Sequence, residues 1–275
     1  MAVSLGNFVP CSILLVAVSS RCATRTLLFP RLDDYCCGRA HEGIAEMTDN
    51  LYDEVKDVLK REFEKESFND YKLIITGHSL GAGVSCLFTL KLHHDGFHSH
   101  SHTYDTLSPY EGKEKTYTGR KIQCFSYASP AVYLPDDFGQ RFVEDSFQCT
   151  TNYIHDNDMV PSLSVDAARR LFASISAVQY EMSQISCTYN PRLVIAVGAA
   201  TDGDGLRIIE EAPRLVITAS NIVWMKPHAG RFDFKVCDPY LYADGGIALS
   251  GLEMLTDHFP SQYQNAIESI DSFLP

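Results

Sequence analysis

Ser79 sits in "TGHSLGAG", residues 76–83, with a glycine two positions away on either side. A serine so placed can be a nucleophile held on a sharp turn. A glycine-rich loop with an incidental serine reads the same, so the flanking elements must decide. An apolar run, Tyr71 to Ile75, precedes the turn, and a helix-forming stretch from Ala82 to Leu92 follows it. Strand, tight turn and helix form the setting in which such a serine is exposed for attack on a carbonyl. Gly77 and Gly81 let strand and helix pass close together, and the turn brings a helix N-terminus beneath Ser79. The amide of Leu80 then faces any oxyanion formed at the attacked carbon.

A hydroxyl needs a base to take its proton, and the base needs an acid to hold its tautomer. After this kind of turn the partners follow in the order serine, acid, histidine. Asp158 lies just beyond the strand candidate Thr150–Ile154, at the carboxyl edge of a sheet where such sites collect. Pro161 keeps that strand from running on. Asp156 is the nearby competitor. Beyond both lie only two histidines, His228 in "KPHAG" and His258 in "MLTDHFPSQY". A loop entering a final helix suits a general base, which favours His258. Adjacent side chains usually point apart, so its neighbour Asp257 is not expected to be the orienting acid. His78 and His41 precede the acid and suit structural roles.

Three such groups need a scaffold that converges on one edge. Residues 42–65 read as an amphipathic helix, with Ile44, Met47, Leu51, Val55, Leu59 and Phe63 at three- and four-residue steps. A strand over Leu73–Thr76 and the helix over Ala82–Leu92 follow. Further strands are expected at Ile122–Ala128 and Thr150–Ile154, and helices over Asp136–Phe147 and 164–178. From Arg192 to Cys237 the runs are short and β-branched, as in strands or hairpins. Phe232, Phe234 and Val236 alternate with polar neighbours, so one face of that strand is solvated or meets something else. A helix after Pro260 carries Tyr263, Ile267, Ile270 and Phe273 on one side. This order is that of an α/β fold whose sheet is joined by parallel crossovers.

The chain has 275 residues, 45 % hydrophobic and 21 % charged, which predicts one domain over 1–275. A formal net charge of −12 excludes a nucleic-acid partner bound through a basic surface. It also weakens attraction to anionic lipid, so a membrane substrate is reached through apolar contacts. Residues 93–120 are polar with five histidines in their first half, and read as a disordered insertion. The sharper reading, a metal site, lacks a defined ligand geometry. Nine cysteines show no zinc spacing, and adjacent Cys36 and Cys37 are poorly placed for a disulfide, which suggests reduced thiols in a cytoplasmic protein. Within the apolar run Phe8 to Val18, Ser12 to Val18 reads as a buried strand. The alternative is a signal peptide over residues 1–23, hence secretion, although no Lys or Arg precedes the apolar run.

"TGHSLGAG", "NDMVP" and "DHFPSQY", in that order, resemble the class 3 (fungal-type) lipases and their diacylglycerol-lipase-like branch most. "HEGI" with its following helix and "VWMKPHAGRFDF" extend the resemblance, which runs from about residue 12 to 270 around the histidine-rich insertion. It implies an α/β-hydrolase-type, mostly parallel sheet flanked by helices, N-terminally shortened, with extra C-terminal strands or hairpins. By position it makes Ser79 the nucleophile, Asp158 the acid and His258 the base. It implies ester hydrolysis of neutral lipid, diacylglycerol or triacylglycerol, at a membrane or droplet surface, with no metal or organic cofactor. A phospholipase A1 or other carboxylesterase would share the triad. The family's Arg-Gly-Thr or Arg-Gly-Ser stretch, which supplies the second oxyanion donor, is here Arg21-Cys22-Ala23-Thr24. A main-chain amide needs no particular side chain, so Ala23 or Thr24 is the expected donor beside Leu80. The altered stretch leaves open a second class of function, a catalytically impaired lipase-like binding protein.

Overall fold

The computed structural model describes residues 2–8, 13–19, 32–63, 72–97, 122–163, 215–239 and 253–271. In chain order the elements are β1 (Ala2–Phe8), β2 (Ile13–Ser19), β3 (Leu32–Asp34), β4 (Gly38–His41), α1 (Glu42–Phe63), β5 (Lys72–His78) and α2 (Leu80–His94). Then come β6 (Ile122–Tyr127), β7 (Tyr133–Pro135), α3 (Arg141–Gln148), β8 (Thr150–His155) and a 3-10 turn (Val160–Ser162). The hairpin β9 (Asn221–His228) and β10 (Arg231–Cys237) precedes the short α4 (Glu253–Thr256) and α5 (Pro260–Asp271).

Among the described residues seven strands form one sheet in the order β1-β2-β5-β6-β8-β9-β10. It is parallel from β2 to β9, and antiparallel only where β1 meets β2 and β9 meets β10. Parallel neighbours need crossovers, and α1, α2 and α3 lie in the connections β4–β5, β5–β6 and β7–β8. The carboxyl ends of β5 and β8 therefore open at one edge of the sheet, where a site can form. The sheet, with helices packed against it, is an α/β-hydrolase-type fold.

The helices are placed by their apolar patterns. In α1, Ile44, Leu51 and Leu59 are buried on one face, with Met47 and Val55 packed beside them. Glu42 in its first turn and Lys60 and Arg61 in its last oppose the helix dipole at each end. α2 differs, because it is apolar all round and buried from Gly81 to Leu90. It is the central helix, covered by α1 and α3 on one side and by β5 and β6 on the other. Full burial of a side chain such as Phe88 or Leu87 contributes about 1.5–3 kcal/mol, so α2 is a strong anchor for the turn that precedes it.

Several expectations move. The sheet gains β1, a strand not foreseen before Ile13–Ser19. Helix α3 begins at Arg141 rather than Asp136, because residues 136–139 form a turn in which the Asp137 carboxylate accepts the Gly139 amide. Within "RLVITAS", the part from Leu215 makes a single bridge, Val216 to Tyr133, and is not a full strand. Its side chains are nonetheless core, with Leu215, Ile217 and Ala219 buried. The disordered insertion expected over 93–120 does not begin at 93: α2 continues through the buried His93 to His94, and the Phe97 amide returns to the Leu92 carbonyl, so the apolar pattern of the helix carries these residues with it. The rest of that insertion, the helix expected over 164–178 and the strand in 192–199 lie outside the described residues. On β10 the polar face is solvated as expected, with Asp233 and Lys235 exposed, but Phe234 and Val236 on the apolar face are exposed as well.

Candidate active site

Strand β5 alternates buried and half-buried residues up to Gly77, and the chain then turns within one residue into α2. Gly77 is required by contact. A Cβ there would lie 2.2 Å from the Gly81 carbonyl oxygen and 2.5 Å from its carbon, both backbone atoms that cannot swing aside. The turn itself is Ser79, at φ 58° and ψ −125°, a conformation that costs a non-glycine residue about 1–3 kcal/mol. The Ser79 amide donates to the Tyr127 carbonyl at 2.9 Å, and its own carbonyl accepts from Ala82 and Gly83. The side chain thus stands at the mouth of α2 with the strain held by β6 and the helix. Leu80, the first helical residue, has no acceptor for its amide within α2, so that donor and the positive end of the helix are offered to the same space.

Asp158 and His258 reach this point from two other loops. After β8 the chain passes Asp156, at φ 31°, and Asp158 turns back with its amide on the His155 carbonyl at 2.9 Å. Asp158 is buried, and its Oδ1 accepts the Val160 amide at 2.9 Å. His258 lies between α4 and α5. Its Nδ1 is 3.0 Å from Asp158 Oδ2 and 3.1 Å from Oδ1, and its Nε2 is 2.8 Å from Ser79 Oγ. With the ring proton on Nδ1 facing the carboxylate, Nε2 is left to accept the serine hydroxyl. Serine, imidazole and carboxylate form one unbroken hydrogen-bond chain, which can take a proton from Oγ and return it to a leaving group.

Two further residues fix this chain. Tyr263, buried on α5, donates its hydroxyl to Asp158 Oδ2 and accepts the His155 amide at 3.1 Å. Sequence reading placed Tyr263 only on the packed face of the last helix; a tyrosine one turn after the histidine was the available signal. His78 places Nε2 2.9 Å from the His258 carbonyl oxygen, so the proton is on that nitrogen, and its ring lies 4.8 Å from the His258 ring. Burial, then the neighbouring His258, pushes His78 below the usual histidine range, so it is a neutral donor near pH 7.

The remaining candidates fall elsewhere. Asp156 serves through its backbone, its carbonyl accepting the Trp224 indole N–H at 2.7 Å. Asp257 faces away from His258, with Oδ2 accepting the Asn157 amide at 3.2 Å. His228 is exposed at the end of β9, and His41 is buried at the end of β4. Ala23 lies outside the described residues. Among the described residues no group of three or more His, Cys, Asp or Glu is arranged to hold a metal.

No curated protein matches the sequence. Among solved structures, it is similar to the mono- and diacylglycerol lipase from Aspergillus oryzae at 16 % identity and TM-score 0.49, covering 90 % of this chain and 68 % of that one. The lipase from Rhizopus microsporus var. chinensis aligns at 16 % identity and TM-score 0.40, over 57 % of this chain and 50 % of that one. Lipase II from Rhizopus niveus aligns at 17 % identity and TM-score 0.40, over 55 % and 51 %. The chain thus spans about half the length of the two Rhizopus lipases. The class 3 lipase model matches residues 20–167, more than half of the 275 and enough to include the Ser79 turn and the Asp158 loop. On that match the chain belongs to the class 3 lipase family.

Proposed function

We propose that this protein is a serine hydrolase of carboxylic esters, with Ser79 as nucleophile, His258 as general base and then acid, and Asp158 orienting the imidazole. The observation that carries this reading is the 2.8 Å contact from Ser79 Oγ to His258 Nε2, continued at 3.0 Å from His258 Nδ1 to Asp158. Attack by Oγ on the ester carbonyl passes its proton to Nε2, and collapse of the tetrahedral intermediate gives the alcohol that proton. Water then enters by the same route in reverse and releases the fatty acid. The Leu80 amide is the donor assigned to the oxyanion on the helix side, and the Ala23 amide the one assigned to the other.

Neutral acylglycerol, diacylglycerol or triacylglycerol, is the proposed substrate. The net charge of −12 disfavours an anionic headgroup, and Leu255 and Phe259, which bracket His258, are more than half exposed. Apolar side chains at the mouth of the site suit a water-insoluble ester met at a membrane or droplet surface. Ser79→Ala should lower hydrolysis of p-nitrophenyl butyrate by about 10⁵-fold or more. Retention of activity in that variant would sink the mechanism. The changed stretch Arg21–Thr24 favours one other reading, a lipase-like lipid-binding protein without turnover. A fluorophosphonate separates the two: labelling at Ser79 that vanishes on denaturation supports the enzyme, and no labelling of the folded protein supports the binder.

A further inference from the structure

Asp158 and His258 are 100 residues apart, and their meeting depends on how two loops are held together. A second carboxylate–imidazole pair lies beside the first. Asp257 turns its side chain away from the triad and toward the Asp158 loop. Its Oδ2 accepts the amide of Asn157, the residue next to Asp158, and its Oδ1 is 3.4 Å from His155 Nδ1. His155 is 3 % exposed at the end of β8, its ring between Phe232 and Tyr263 at 5.5 and 5.9 Å. Neither of its ring nitrogens makes a well-formed hydrogen bond among the described residues. A buried imidazole in that position is satisfied best by directing its Nδ1 proton at Asp257.

We propose that Asp257 is a positioning residue, whose carboxylate clamps the loop of the general base onto the loop of its orienting acid through Asn157 and His155. The inference rests on the triad reading above. The groups facing Asp257 are the Asn157 amide and the His155 ring, which favour its ionised form, and Asp156 and Asp158, which oppose it. Burial is the largest influence and also raises it, so the carboxylate depends on the two partners it holds. A backbone tie between the same two segments is the Met159 amide on the Met254 carbonyl at 3.3 Å. An ionised Asp257 also adds a negative charge beside Asp158, which favours the imidazolium formed at His258 during turnover.

The clamp makes two separable predictions on the full chain. Asp257→Ala removes both contacts, and should lower kcat for p-nitrophenyl butyrate about tenfold with KM nearly unchanged, since orientation and not substrate binding is lost. Asp257→Asn keeps an acceptor for Asn157 but removes the charge. Its kcat should fall less, and the acid limb of kcat/KM should move to lower pH by about half a unit, because the imidazolium loses a stabilising charge. A role in folding alone would leave that limb in place. Should Asp257→Ala not fold, the limb of Asp257→Asn decides: a limb at the wild-type pH overturns the clamp, as does an Asp257→Ala enzyme with wild-type kcat. Ser79→Ala run in parallel keeps the two readings apart. Loss of activity there with no effect at Asp257 refutes only the clamp, whereas full activity there refutes the triad.

Discussion

The two halves of the candidate site are built in opposite ways. On the serine side the shape is set locally, by β5, one turn and α2, residues 72–94, with the Ser79 amide tied to the Tyr127 carbonyl. On the acid–base side the contacts that assemble the site are distant in sequence. Asp158, His258, Asp257 and Tyr263 are joined by contacts that span about a hundred residues, and His78 reaches the His258 carbonyl across 180. The first half is fixed by backbone sterics, with glycine demanded where strand and helix collide. The second is fixed by hydrogen bonds between loops, so it can be loosened one contact at a time. Substitutions should therefore act sharply on the serine side and in graded steps on the other, except where they remove the acid itself.

The largest effect is expected at that exception. Asp158→Asn leaves the volume unchanged but offers His258 Nδ1 an amide, which can stabilise the wrong tautomer. The kcat for a soluble ester should fall about 10⁴-fold with little change in the urea midpoint. A drop of less than about tenfold would mean that Asp158 is not the orienting acid. Next comes Gly77→Ala. With the new Cβ 2.2 Å from a backbone oxygen, β5 and α2 must separate, and the loss should be about 3 kcal/mol or more in urea unfolding. A stable, active variant would show that the turn is not sterically determined.

The same contrast explains what could be read from the sequence. The strand–turn–helix around Ser79 was legible because glycine spacing, an apolar run and a following helix are all local signals. The order serine, acid, histidine then singled out Asp158 and His258, although their hydrogen bonds are tertiary facts. Tyr263 was visible only as one apolar-face position, since no pattern states that its hydroxyl meets a carboxylate on another loop. His78 was assigned a structural role, and its bond to the His258 carbonyl depends on where a distant loop arrives. β1 escaped notice because "AVSLGNF" carries a glycine and no clear period-two alternation. "RLVITAS" reads as a strand from its β-branched content, but its described part forms only the isolated bridge at Val216, since propensity cannot supply a neighbouring strand.

Tyr263→Phe is the graded test on the loop side. It removes one donor from Asp158 while keeping the ring packed against His78 and Tyr127. A hydrogen bond to a charged group contributes about 1.5–3 kcal/mol, so kcat should fall about tenfold. The carboxylate, less well satisfied, holds the His258 imidazolium more tightly, and the acid limb of kcat/KM should move to higher pH. That sign is opposite to the one expected for Asp257→Asn. Shifts in the same direction for both variants would break the picture of two independent supports.

The smallest effect is expected at a second strained turn that has no part in the site. Cys36 and Cys37 link β3 and β4 as a two-residue hairpin turn, at φ 43° and 54°, with the Tyr35 amide on the Gly38 carbonyl at 2.8 Å. Positive φ at both central residues is the type I′ geometry that normally selects Asn-Gly. Cys36 packs against the core and its carbonyl accepts the Tyr133 hydroxyl at 2.7 Å, which accounts for its side chain and its backbone. Cys37 is exposed and has no such compensation. Cys37→Gly relieves about 1–2 kcal/mol of left-handed strain, against about 0.5–1 kcal/mol for the greater freedom of glycine in the unfolded chain. The net should be a gain of about 0.5 kcal/mol in urea unfolding, with kcat/KM unchanged. Ser79 shares the left-handed φ, but there the strain aims a nucleophile. A Cys37→Gly variant that lost activity would therefore place the β3–β4 turn within the catalytic unit and end the separation drawn between strained turns that serve the site and those that do not.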